Sequence, residues 1–307
     1  MTSSVSGSGD GGGQSKSLLE IEHLTKRFGG LVAVSDFSLR LGVGDLVGLI
    51  GPNGAGKTTV FNLITGAYAP TEGVVRFDGK NLAGLKGFEI TQKGVARTFQ
   101  NIRLFNSMTV LDNIKVAFNY QMGYNMIDAI IRRRHFAERE TAVTRRSVEL
   151  LQLFGLHRRH AELARNLPYG EQRRLEIARA LATRPKLLLL DEPAAGMNPN
   201  EIDALMGLIQ WIRKEFDLTI LLIEHQMRIV MRLCQRITVI DFGQTIAEGT
   251  PEEVQNNRRV IEAYLGEAHE GNAGSAGGAA NTGNDGGPDA ADSADLGEAV
   301  GNARRAR

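Results

Sequence analysis

Residues 51–59 read Gly51-Pro52-Asn53-Gly54-Ala55-Gly56-Lys57-Thr58-Thr59, directly after the apolar run Leu46-Val47-Gly48-Leu49-Ile50. A helix-like run, Thr59-Val60-Phe61-Asn62-Leu63-Ile64, follows at once. Strand, glycine-rich loop and helix in that order is the context a phosphate-binding P-loop requires, and no other stretch constrains this chain as much. Gly54 and Gly56 can let the backbone curl until several N–H groups point inward at phosphate oxygens. The helix that follows adds the positive end of its dipole. Lys57 supplies a mobile cation for the β- and γ-phosphates, and the Thr58 hydroxyl can ligate Mg²⁺. A glycine-rich surface turn with an incidental lysine is the bland alternative, and the correct flanking elements weigh against it. Nucleoside triphosphate binding is therefore expected.

Three further segments narrow the class. Lys186-Leu187-Leu188-Leu189-Leu190-Asp191-Glu192-Pro193 has an unbroken leucine run, the pattern of a strand buried on both faces in a parallel sheet. Asp191 would emerge at its carboxyl end beside the P-loop, placed to hold a water of the Mg²⁺ shell. Glu192 would polarise an attacking water. Two solvated acids at a strand end are the alternative, and the P-loop tips the balance toward catalysis. Asn166-Leu167-Pro168-Tyr169-Gly170-Glu171-Gln172-Arg173-Arg174 runs into a helical pattern with Gly170 near its start. Bare N–H groups there make an anion site, although an ordinary capped helix reads much the same. Leu221-Leu222-Ile223-Glu224-His225 is a second buried strand ending in a histidine. That histidine is either a structural residue or, one βαβ unit after Asp191-Glu192, a neighbour of the γ-phosphate.

In this order the segments resemble the nucleotide-binding subunit of an ABC transporter, most closely the ATPase subunits of branched-chain amino acid importers. The resemblance spans residues 18–268. It includes Leu24-Thr25-Lys26-Arg27-Phe28-Gly29-Gly30-Leu31, Arg97-Thr98-Phe99-Gln100-Asn101-Ile102-Arg103-Leu104-Phe105 and Asp191-Glu192-Pro193-Ala194-Ala195-Gly196-Met197-Asn198-Pro199. It also takes in Gly249-Thr250-Pro251-Glu252-Glu253 and Glu262-Ala263-Tyr264-Leu265-Gly266. The resemblance implies an α/β P-loop NTPase fold: a RecA-like core, an antiparallel β subdomain and a helical subdomain inserted at about 101–172. It implies ATP and Mg²⁺ as ligands, with Thr58, Gln100 and Asp191 on the metal side. Phe28 would stack on adenine with Val34 beside it. Gln100 would be the Q-loop glutamine, Glu192 the general base and His225 the switch histidine. Leu167, Pro168, Tyr169, Gly170, Glu171 and Gln172 would form the signature that meets the ATP of the opposite protomer, and Ala195 to Asn198 the D-loop.

The implied partners are a second ATPase subunit, paired head to tail and expected to be a different chain, two membrane permease subunits and, indirectly, a solute-binding protein. Their assembly would hold this chain peripherally on the cytoplasmic face of the membrane. Two positions depart from the general pattern. Pro168 stands where serine is usual, removing a hydroxyl donor, and Asn198 stands where the D-loop often carries Asp.

Composition agrees. The 307 residues, 42% of them hydrophobic, suffice for one large α/β domain or two subdomains. Lys plus Arg number 36 against 35 Asp plus Glu, a net charge of +1 that gives no reason to expect a nucleic-acid partner. The one cysteine, Cys234, excludes a disulfide scaffold and reads as a small core residue. No apolar run approaches the roughly 20 residues needed to span a bilayer, and no signal sequence opens the chain.

Residues 1–17 are rich in Ser and Gly and read as a disordered lead; residues 269–307 read as a disordered Gly/Ala/Asn/Asp tail closing on Arg304, Arg305 and Arg307. Thr250, Pro251 and Glu253 carry the marks of a capping box. Arg132-Arg133-Arg134-His135 reads as a solvated helix face rather than a lipid contact. His157 and His160 flank arginines, which opposes a metal pair, and Trp211 and Phe216 suit helix packing. Two alternative functions share the motor: a lipid-exporter ATPase, and a non-transport ABC ATPase acting on ribosomes or DNA. One P-loop and the absence of sustained heptads disfavour the latter, and the Pro168-Tyr169 signature and the residues from Arg97 to Phe105 favour the importer.

Overall fold

Four consecutive leucines have no polar face, and the strand they form, β7 (Leu187–Asp191), is buried on both sides. The same is true of β3 (Leu46–Ile50) and β8 (Thr219–Ile223). The computed structural model describes residues 17–121 and 134–264. In it these strands join β6 (Val95–Arg97), β9 (Arg236–Asp241) and β10 (Gln244–Gly249) in a sheet of order β10-β9-β3-β8-β7-β6. All neighbours run parallel except β10, which folds back on β9.

A second, antiparallel sheet has the order β2-β1-β4-β5, from β1 (Ser17–Phe28), β2 (Leu31–Gly42), β4 (Glu72–Phe77) and β5 (Lys80–Asn81). β1 starts at Ser17, so the expected disordered lead is one residue too long at its inner end. The described helices are α1 (Lys57–Ile64), α2 (Gly87–Gln92), α3 (Val110–Gln121), α4 (Arg134–Leu153), α5 (Tyr169–Ala182), α6 (Pro199–Glu215), α7 (Met227–Leu233) and α8 (Pro251–Gln255). Among the described residues, α3 and α4 lie between β6 and β7 within 101–172, while α5 begins at Tyr169 and runs on to Ala182.

The two-residue period of a strand splits the core into two. Leu187, Leu189, Leu221 and Ile223 face α1 and the antiparallel sheet, meeting Phe61, Leu24 and Phe37. Leu188, Leu190, Ile220 and Leu222 face the helical side, meeting Ile114, Leu151, Leu175 and Ile209. Register then places the site. Leu49 and Asp191 both pair with Ile223, so β3 and β7 end level, two strand spacings or about 10 Å apart.

Trp211 packs edge-on against Phe154 and Phe216, as a core aromatic. Cys234 is buried at the end of α7, and burial pushes its thiol up to about 12. The capping box on α8 is formed: the Thr250 hydroxyl accepts from Glu253 N, and the Glu253 carboxylate accepts from Thr250 N. Those bonds hold the Glu253 carboxyl below its ordinary value. The rest of the Ser/Gly lead, Arg132 and Arg133, and the tail from 269 to 307 lie outside the described residues, as do the side chains of Arg134 and His135.

Candidate functional site

The loop between β3 and α1 is shaped by glycines that no other residue could replace. A Cβ on Gly51 would sit 1.9 Å from the Ile240 carbonyl oxygen, and one on Gly56 would sit 2.5 Å from that of Ala33. Both also have positive φ, +152° and +104°. Gly56 is the N-cap of α1 and offers no side-chain cap, and the first turn carries no acid. The first N–H groups of the helix are thus left to a ligand, an arrangement suited to an anion. The Lys57 side chain is buried and curls back over the loop, its Nζ donating to Gly51 O at 2.6 Å and Pro52 O at 2.7 Å. Asn53, Gly54 and Thr58 are exposed, Thr59 is half-buried and Ala55 is buried.

The turn between β9 and β10 buttresses this loop. Gly243 N donates to Ala55 O at 2.9 Å, and Gly243 O accepts from Ser35 N at 2.8 Å. The turn's glycine was not legible as functional, because its partners are more than 180 residues away in sequence. Phe28 ends β1 with its ring exposed, edge-on to Tyr68 at 5.1 Å. Lys26 Nζ lies 4.9 Å from the Phe28 ring centre, a cation–π contact. Val34 is fully buried, its Cγ2 3.5 Å from the place a Gly56 Cβ would take, so it packs against the P-loop.

At the end of β7 the side chains separate by environment. Asp191 is buried and pairs with Arg97 Nη2 at 2.7 Å; both side chains are under one-tenth exposed. Arg97 Nη1 donates to Asn62 Oδ1 on α1 at 2.7 Å, and its guanidinium lies over the rings of Phe61 and Phe99. One arginine therefore joins β6, β7 and the P-loop helix. Its only sequence signal was a charge at the end of a buried strand. Glu192 leaves the sheet in the left-handed region, φ +43°, a conformation that costs a non-glycine residue of order 1 kcal/mol. Glu192 N is held by Ile223 O at 2.9 Å. This kink turns the Glu192 carboxylate to two residues from other loops: Gln100 Nε2 donates to Oε2 at 2.8 Å, and His225 Nδ1 lies 3.5 Å from the same oxygen. Gln100, Glu192 and His225 are thus brought together.

Glu224, next to His225, is fully buried; its Oε1 accepts from Ala194 N at 3.0 Å, and Oε2 has no hydrogen-bond partner. Burial pushes its carboxyl above the ordinary glutamate value, with the nearby Glu192 charge adding to the rise.

The segment Leu167 to Gln172 straddles the start of α5. Pro168 is the N-cap and supplies no side-chain cap, while Gln172 Nε2 donates back to Leu167 O at 2.8 Å. Gly170 packs near Glu201, and Glu171 pairs with Arg159 Nε at 3.0 Å. Asn198 caps α6, its side-chain oxygen accepting from Asn200 N and Glu201 N. Either Asn or Asp can make this cap.

Comparison with known proteins decides the family. The ABC transporter family model matches residues 34–195, and a model of the branched-chain amino acid ATP-binding cassette transporters matches residues 244–270. The high-affinity branched-chain amino acid transport ATP-binding protein BraF of Pseudomonas aeruginosa is 47% identical over 254 residues, covering 83% of this chain and 100% of that protein. This chain is an ATP-binding cassette of the ABC transporter family. The cassette is also 34% identical, over 82% of its own length and 98% of the relative's, to the lipopolysaccharide export ATP-binding protein LptB of Haemophilus influenzae. Among solved structures, the ADP conformation of the cassette MJ1267 superposes with a TM-score of 0.70 at 29% identity, covering 81% of this chain and 99% of that one. The cassette binds ATP and is an ATPase. No helix among its described residues is long and apolar enough to cross a membrane.

Proposed function

We propose that the cassette hydrolyses ATP to drive the import of branched-chain amino acids. One observation carries the reading: identity to the importer cassette is 47% over that protein's full length, against 34% to the lipopolysaccharide exporter cassette. The match of residues 244–270 to the importer-type model supports the same choice.

In this reading the α1 N-terminus and the P-loop amides hold the phosphates, and Lys57 swings from its carbonyl contacts to the β- and γ-phosphates. Phe28 stacks on the base. Glu192 accepts a proton from the attacking water, His225 steadies the γ-phosphate, and Gln100 gives up its bond to Glu192 as the site fills. The segment Leu167 to Gln172 meets the ATP of a second ATPase subunit, a different chain paired head to tail. Thr58, Gln100 and Asp191 offer a hydroxyl, an amide oxygen and a carboxylate, the all-oxygen set that suits Mg²⁺. When bound, that ion neutralises charge building on the phosphates. Two permease subunits anchor the cassette to the cytoplasmic face of the membrane and receive solute from a binding protein.

The test is to purify the tagged chain from gently solubilised membranes and identify its partners by mass spectrometry. Two permeases and a second ATPase support the importer, and uptake of labelled leucine by vesicles carrying the complex establishes the cargo. Recovery of lipid-export components, or of ribosomal or DNA-bound proteins without a permease, overturns it.

A further inference from the structure

Arg173 is a fully buried arginine one turn into α5, and its bonds lead away from the helix that carries it. Nη1 donates to Phe99 O at 2.7 Å and to Glu176 Oε2 at 2.8 Å. Nη2 donates to Gln100 O at 2.8 Å and to the Tyr169 hydroxyl at 3.2 Å. The Tyr169 hydroxyl in turn donates to Ala195 O at 2.8 Å, and its ring packs on Gly196, where a Cβ would lie 3.7 Å from it. Glu176 completes the frame, its Oε1 accepting from Arg103 N at 3.1 Å. A cation, a phenol and a carbonyl thus stand in series, each donor polarising the next.

We propose that Tyr169 and Arg173 are positioning residues, forming an internal brace that ties the backbone at Phe99 and Gln100 to the loop at Ala195 within one chain. Gln100 bonds Glu192, so a shift of Gln100 on nucleotide arrival is handed through Arg173 and Tyr169 to residues 194–197, which lead into α6. Tyr169 stands in the segment assigned above to the opposite ATP, yet its hydroxyl faces its own chain. The link to catalysis rests on the function proposed above, but the brace itself does not.

The experiment is hydrogen exchange on the purified full-length chain without nucleotide, comparing wild type with Tyr169→Phe. The ring and its packing on Gly196 remain, and one hydroxyl is lost. Amides in residues 98–104 and 194–198 should exchange about five-fold faster, the factor that one lost hydrogen bond corresponds to, while β8 is unchanged. Arg173→Lys should loosen the same two segments, and the double variant should exceed the larger single effect by less than two-fold, since both act on one series. In the assembled transporter, Tyr169→Phe should lower kcat about five-fold with KM for ATP within two-fold. Unchanged exchange in both segments, or a change confined to 194–198, overturns the brace. Loss of ATP hydrolysis in the wild-type complex would sink the proposed function while leaving the exchange result standing.

Discussion

Gln100 and Glu192 are bonded to each other at 2.8 Å, the Gln100 amide donating to Oε2 of the Glu192 carboxylate. His225 stands 3.5 Å from that same oxygen. In the function proposed above Glu192 takes the proton from water, and Gln100 occupies one of its two carboxylate oxygens. Glu192→Gln should therefore keep nucleotide affinity, measured with a fluorescent ATP analogue, and lower turnover by about 10² to 10⁴. Hydrolysis at the wild-type rate would reject Glu192 as the base.

Lys57 donates to two loop carbonyls, bonds that in the proposed function give way to an ion pair with phosphate. Lys57→Ala should weaken ATP binding by about 1.5–3 kcal/mol, roughly 10- to 100-fold in Kd by calorimetry.

Arg97 and Asp191 are buried together. Arg97→Met leaves the carboxylate uncompensated and should cost about 3–5 kcal/mol in urea unfolding. Adding Asp191→Asn to Arg97→Met should recover part of that loss, because a neutral amide is cheaper to bury. A strictly additive double variant would show that the two residues do not share one interaction.

The raised Glu224 carboxyl makes a pH prediction whose sign can be worked out. The folded chain keeps this proton where the unfolded chain has released it. The unfolded state then binds fewer protons, and the contribution to stability falls as pH rises from the ordinary glutamate value toward the raised one. Glu224→Gln, which can still accept from Ala194 N, escapes this fall. Its melting temperature relative to wild type should climb as pH rises above the ordinary glutamate value, and a difference that stays flat with pH would refute the burial argument.

Pro168 supplies no side-chain hydrogen bond at the start of α5. Pro168→Ser restores a hydroxyl and should tighten ATP-driven pairing of the subunits by about 0.5–1.5 kcal/mol, read as a shift in the dimerisation midpoint in ultracentrifugation. No shift would remove the idea that this signature grips its nucleotide less firmly.

The elements that carry chemistry were legible because their causes are local. Leu46 to Ile64 reads as a strand, a curled loop and a helix from neighbouring residues alone, and Leu187 to Leu190 as a strand buried on both faces. The capping residues Thr250 and Glu253 bond across three positions and are readable for the same reason. Val34 was legible only as an apolar residue near a predicted aromatic, and its burial beside Gly56 came from the tertiary structure.

The sequence by itself determined the phosphate loop, the buried leucine strand and the order of the motifs, since backbone freedom, hydrophobic period and helix capping act over a few residues. The tertiary structure alone decided which side chains meet. Arg97 finds Asp191 across 94 positions, Gly243 supports Ala55, and Arg173 reaches the carbonyls of Phe99 and Gln100. Such pairs depend on strand register and helix docking. A buried arginine or a bare carbonyl carries no local mark of the partner that will satisfy it, because the partner is chosen by the need to bury both together.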